Sequence, residues 1–227
     1  MLRATDAARD YLRAWIKRNV SQKSNELKAA FGFKAHSGWA VLVVLGIRKG
    51  DLEILERSRV ELVEEEWAKQ PYHAAENLEP ADARRTVKRG IDAAKRIALR
   101  ELRSAVKRTG ESGFEVRDCG LVAGNPMPDW SVDEILAVHF RMHKAEGVLF
   151  RDVLAKAADG CELRLVAVAE KLLLQHAQSA LKTSTSSVLR KIVELGKSVG
   201  APWGKDQKEA TLAAMIALQG TYRGSGR

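Results

Sequence analysis

The sequence predicts an α/β protein in which helices flank a mixed sheet, and three observations lead there. Runs such as GWAVLVVLGI, FEVRDCGLVAG and CELRLVAVAE are β-branched, short and bounded by turn residues, as strands are. Segments with apolar residues at helical spacing separate the later runs. Hydrophobic residues make 45% and charged residues 30% of the 227, a balance that supports a folded core.

Residues 1–30 read as an N-terminal helical arm with Tyr11, Leu12, Trp15 and Ile16 as its apolar contacts. Residues 31–219 read as one domain, and 220–227 as a flexible tail. The run from Gly38 to Ile47, a Lys49-Gly50 turn and the following LEILERSRVELV predict a meander, with a third strand around Arg59–Val63. Pro71 and Pro80 bracket a connector, and Pro80-Ala81-Asp82 opens a helix as an N-terminal proline does. Gly110 and Gly113 end it, and the next strand stops at Asn125-Pro126-Met127-Pro128. Ser131 with Glu134 forms a capping box, predicting one helix to about Ala158. Asp159-Gly160 turns the chain into the strand from Cys161. Helices then follow at Lys171–Leu181, from the Thr183–Ser187 cap to near Gly200, and at Asp206–Gln219.

Several function classes are excluded or disfavoured. The longest uncharged apolar run is ten residues, Gly38–Ile47, whereas a spanning helix needs about 20. No membrane partner is expected. The first residues lack an apolar block with a cleavage site, and two cysteines make no disulfide framework, so a reducing, cytoplasmic setting is expected. Cys119 and Cys161 both fall in predicted strands and read as core. Gly32, Gly38, Gly46 and Gly50 form no phosphate-loop or dinucleotide fingerprint, and the five tryptophans are dispersed.

The net charge of +9 is uneven. Arg84–Arg108 holds ten cations against Asp92 and Glu101, while Asp51–Glu79 holds nine acids against three cations. At 100° per residue, Arg85, Arg89, Arg96, Arg100, Arg103 and Lys107 fall within roughly 60° of one another. Val87, Ile91, Ala94, Ala98, Leu102 and Ala105 lie opposite. Guanidinium forks match phosphate oxygens, so this rail is a candidate nucleic-acid surface. A solvated helix face is the other reading, although such faces usually mix signs.

The order of elements resembles the ribonuclease H-like superfamily, nearest the RuvC-type junction resolvases and YqgF-like proteins. Three stretches carry the likeness: Phe33-Lys34-Ala35-His36-Ser37-Gly38-Trp39-Ala40-Val41, Lys144–Phe150 with Asp159-Gly160, and Asp206-Gln207-Lys208-Glu209-Ala210-Thr211-Leu212-Ala213-Ala214. The resemblance implies two Mg²⁺ or Mn²⁺ ions on about four carboxylates, and phosphodiester hydrolysis if the chain is active. Asp206 and Glu209 match the closing acidic pair, with Glu146 or Asp118 as a third ligand. Lys34, however, stands where the first-strand aspartate belongs, and Val122-Ala123-Gly124-Asn125 has no carboxylate at the second position. Asp206 and Glu209 also read as acids favoured by a helix dipole.

His139, His143 and Glu146, at i, i+4 and i+7, share a helix face within about 60° and form a candidate metal set. Ile135 and Phe150 continue that face, which therefore is expected to turn towards the core. Core histidines satisfied by neighbouring acids are the competing reading, and Glu146 pairing with Lys34 or an arginine is a third. The expectation is a nucleic-acid-binding protein, for DNA or RNA, that is a divergent or inactive metal-dependent nuclease. The alternative is a non-enzymatic assembly protein whose basic helix docks on another protein or, in a homodimer, on the acidic segment of a second copy.

Overall fold

A computed structural model describes residues 27–222. Five strands form one sheet in the order β3-β2-β1-β4-β5: β1 (Leu27–His36), β2 (Trp39–Arg48), β3 (Asp51–Glu61), β4 (Phe114–Ala123) and β5 (Arg164–Ala169). The first three form an antiparallel meander, whereas β4 runs parallel to β1 and β5 parallel to β4. This is the mixed, helix-flanked α/β sheet that the order of elements predicts.

Why β2 lies inside the sheet is visible in its sequence. Ala40-Val41-Leu42-Val43-Val44-Leu45 is buried on both faces, so its apolar run is continuous rather than alternating. The Lys49-Gly50 turn carries φ of 52° and 88°, the left-handed pair that a tight hairpin requires. β3 is one continuous strand from Asp51, longer than the expected third strand at Arg59–Val63. β1 begins at Leu27, so the last residues assigned to the arm belong to the sheet. Residues 1–26 of the arm, and the end of the tail, lie outside the described residues.

Among the described residues, five helices cover the sheet. On one face lie α1 (Pro80–Glu111) and α3 (His139–Asp159), packed against Phe31, Phe33, Leu42, Cys119 and Leu121. Removing one such phenylalanine from water contributes about 1.5–3 kcal/mol. On the other face lie α4 (Leu173–Leu181), α5 (Thr185–Val199) and α6 (Lys205–Tyr222), over Ala30, Leu45 and Val122. Helix α6 packs against β1 and β4 through Ala210, Ala213 and Ala214, small residues with no exposed surface. Gly32 and Gly120 sit directly beneath it, because a Cβ at either would overlap the backbone carbonyl of Ala210 or Ala213. No helix among the described residues is long and apolar enough to cross a membrane.

Two expectations need correction. The predicted helix from Ser131 to Ala158 is two helices, α2 (Val132–Leu136) and α3, separated at Ala137 and extended Val138. The Ser131–Glu134 capping box is present, with Ser131 N–H donating to Glu134 Oε2 at 2.8 Å. Arg141 then donates to the Glu134 carbonyl at 2.8 Å and satisfies the freed end of α2. Cys161 is half-buried in the turn before β5, not a strand residue, while Cys119 lies in β4. Full burial pushes the Cys119 thiol up to about 12, so it remains protonated.

Candidate functional site

The carboxyl ends of the parallel strands β1, β4 and β5 lie side by side, which is where open α/β sheets place their ligands. The first turn of α6 is brought to the same edge by its close approach over Gly32 and Gly120. Lys34 of β1 points into this corner. Its Nζ lies 2.6 Å from Glu170 Oε2 and 2.6 Å from Glu209 Oε2. The first is an aligned hydrogen bond, whereas Glu209 Oε2 meets the ammonium as an ion pair without that alignment. Lys205 Nζ approaches the other oxygens, 2.6 Å from Glu170 Oε1 and 3.5 Å from Glu209 Oε1. Beside them, His36 Nε2 lies 3.0 Å from Asp206 Oδ2, and the His36 ring stacks on Trp39 with centroids 4.2 Å apart.

Two ammonium groups therefore interleave two carboxylates. Burial works to lower the Lys34 pKa, but its hydrogen bond to Glu170, its close ion pair with Glu209 and the charges of both carboxylates outweigh it, so it is raised. Glu170 goes the opposite way, held down to about 2 by hydrogen bonds from Lys205 and then Lys34. A carboxyl depressed on folding contributes stability that is complete above its unfolded pKa and is lost as pH falls through the folded value. The melting temperature should therefore decline between pH 4.5 and 2, and Glu170→Gln should remove part of that decline. Because Glu170 is 44% exposed, the difference amounts to about 1 kcal/mol or less. Thermal melts over this range check it; identical acid limbs would show that the pair contributes nothing.

The residues at this corner do not fit the two metal ions that the resemblance implies. An ammonium already lies between the oxygens of Glu170 and Glu209, with its own charge satisfying theirs. The end of β4 offers no carboxylate, since Val122 is followed by Ala123, Gly124 and Asn125. Asp118 is four residues too early. The register sets it opposite Ala30 rather than Lys34, roughly 13 Å away along the strand. There it is buried and accepts from Arg164 Nε at 2.7 Å.

Glu146 also falls elsewhere, on the α1–α3 side of the sheet. Its Oε2 is 2.6 Å from His73 Nδ1, and its Oε1 accepts the His73 backbone N–H at 3.1 Å. It therefore pairs with neither Lys34 nor an arginine, and its oxygens are not free to join Asp206 and Glu209. His139 and His143 stand at the exposed start of α3, so that face opens to solvent there instead of turning inward. Sequence reading did not anticipate Glu170, Lys205, His36 or His73. Glu170 has a usable signal, since it directly follows β5 at the functional edge of the sheet.

The basic rail is as regular as its spacing implies. Arg85, Arg89, Arg96, Arg100, Arg103 and Lys107 are all exposed along α1, while Val87, Ala94, Ala98, Leu102 and Ala105 are buried opposite. From Arg85 to Lys107 the rail runs roughly 33 Å. Arg89 lies over the Trp67 ring at 4.4 Å, and Arg85 pairs with Asp82. Arg100 meets Glu101 at 3.0 Å and Glu64 at 3.4 Å, while Lys107 reaches Glu111 at only 3.8 Å. Among the described residues, Arg96 and Arg103 form no ion pair. With Leu99, Arg100, Ser104 and Lys107 they line one surface groove. Exposed pairs such as these contribute about 0–1 kcal/mol, so a phosphate can displace them at little cost. Part of the acidic segment folds back on the same chain, where Glu56 meets Arg108 at 2.9 Å.

No family model and no curated protein matches the sequence. Among solved structures, the chain is similar to Thermus thermophilus RuvC, with 11% identity over 87% of this chain and 97% of that one, at a TM-score of 0.47. It is similar too to T. thermophilus RuvC in complex with a Holliday junction substrate, with 10% identity, the same coverage and a TM-score of 0.47.

Proposed function

We propose that this chain binds nucleic acid through the outward face of α1 and is a ribonuclease H-like protein without two-metal cleavage at its carboxylate corner. The rail carries the reading: six exposed cations on one face of a single helix, three of them (Arg89, Arg96 and Arg103) with no ion pair among the described residues. Such a face recognises phosphates rather than base edges, so binding is strong at low salt, steeply salt-dependent and little affected by sequence. Lys34 supports the second half of the proposal. It supplies beside Glu170 and Glu209 the positive charge that a metal would otherwise provide.

Titration of short single-stranded, duplex and branched DNA and RNA at several salt concentrations tests the binding. Affinity that is weak at low salt, or insensitive to salt, overturns it. Incubation of the same substrates with Mg²⁺ or Mn²⁺ tests the closed corner, and they should remain intact. Cleavage that disappears in an Asp206→Ala, Glu209→Ala variant would overturn that part alone.

A further inference from the structure

We propose a second, independent site: His73, His139 and His143 together bind one zinc ion through their Nε2 atoms, with the fourth coordination position open to solvent. Two chain segments far apart in sequence build it. His139 and His143 stand one helical turn apart at the start of α3, with ring centroids 4.7 Å apart and their Nε2 atoms 3.1 Å apart. His73 comes from a short 3-10 turn, His73–Ala75, in the connector before α1. Its ring lies 5.1 Å from that of His139 and 4.6 Å from that of His143. One ligand nitrogen from each of the three lies within 4.8 Å of the others.

The carboxylates around the cluster decide which nitrogens face inward. Glu146 is buried to 4% exposure and takes the Nδ1–H of His73, which turns the Nε2 of that ring towards the other two. This Nε2 is buried with no hydrogen-bond partner. Glu76 Oε1 stands 3.2 Å from His139 Nδ1 and orients the second ring in the same way. A carboxylate on the outer nitrogen of a ligating histidine fixes its tautomer and raises its basicity, and this arrangement is usual behind metal-bound imidazoles. Zinc–nitrogen bonds of about 2.0–2.1 Å give a tetrahedron with edges of roughly 3.3 Å, close to the observed His139–His143 separation.

Without an ion the same geometry is unfavourable. Neutral rings allow one hydrogen bond between His139 and His143 but leave the His73 Nε2 unsatisfied, at a cost of about 1–3 kcal/mol. Protonated rings would place like charges within contact distance. A single dication takes all three lone pairs, and its charge is balanced by Glu146 and Glu76. Three imidazoles select zinc and its transition-metal neighbours over magnesium, which prefers oxygen donors. Bound zinc would tie the connector to α3 at the entry of the basic helix, and the exposed His139 and His143 leave room for a water as fourth ligand.

The test uses the full chain, stripped with a chelator and titrated with ZnCl₂ or CoCl₂. One equivalent should bind, with a raised melting temperature and, for cobalt, the intense visible bands of a tetrahedral site. Millimolar Mg²⁺ should not compete. His139→Ala with His143→Ala should abolish binding while leaving the metal-free melting temperature unchanged, because both side chains are exposed. Glu146→Gln should retain one equivalent but weaken affinity about 10–100-fold. His176→Ala, an exposed histidine on α4, should leave binding unchanged. Substoichiometric binding to the parent chain, or full binding by the His139/His143 variant, would overturn the site.

Discussion

Replacing Arg96, Arg100 and Arg103 together by Glu should weaken nucleic-acid binding about 1,000-fold at 0.1 M salt. Counterion release sets this magnitude. Each phosphate neutralised on a duplex contributes a slope of about −0.9 in log affinity against log salt, so at 0.1 M three contacts are worth several hundred-fold. Reversing the charge adds repulsion beyond that loss. The salt slope itself should fall by roughly three for duplex DNA, and equally for unrelated sequences, since no base edge is involved. All three side chains are exposed on α1, and substitutions of that kind usually alter stability by about 0.5 kcal/mol or less. Fluorescence anisotropy at several salt concentrations reads the affinity, and thermal melts verify the fold. A folded variant that binds as the parent does would remove α1 as the binding surface.

Gly32→Ala and Gly120→Ala should each cost about 3 kcal/mol, near the upper end for overpacking a core. The physical reason is what the new methyl group meets. At Gly32 it overlaps the Ala210 carbonyl, and at Gly120 the Ala213 carbonyl, both backbone atoms of α6. A flexible side chain could swing aside, but a helix backbone must move as a unit, against both strands that it covers. Urea unfolding measures the loss. Gly147→Ala is the matched control, because a Cβ at that helical position meets nothing within 4 Å. Replacing a helical glycine by alanine there should stabilise by about 0.5–1 kcal/mol. Small, equal effects at all three glycines would mean that α6 does not rest on the strands. A lifted α6 would also draw Lys205 away from Glu170, so the acid limb described above should shrink in the glycine variants.

Much of the architecture was legible because its signals are local. The apolar runs of β2 and β4, the Lys49-Gly50 turn and the proline at the start of α1 each depend on residues close in sequence. The basic rail was legible for the same reason, since helical periodicity alone brings Arg85 to Lys107 onto one face. The break between α2 and α3 escaped because Ala137 and Val138 carry neither glycine nor proline. What divides that helix is a tertiary arrangement, with Arg141 capping one piece and leaning over Trp130 at 4.9 Å.

The sites follow the same division. By itself the sequence determined which residue types were available: a lysine where a carboxylate was expected, an acidic pair opening the last helix, and two histidines one turn apart. Only the tertiary structure decided their partners. Strand register excluded Asp118 by four residues, and β5 delivered Glu170 to Lys34 across 136 residues of chain. The connector likewise placed His73 against Glu146, so both carboxylate oxygens of that expected ligand are engaged by His73. Charge and periodicity are properties of a segment and survive in the sequence. Coordination and ion pairing depend on distances of about 2–4 Å between segments, which exist only after the sheet and its helices have packed.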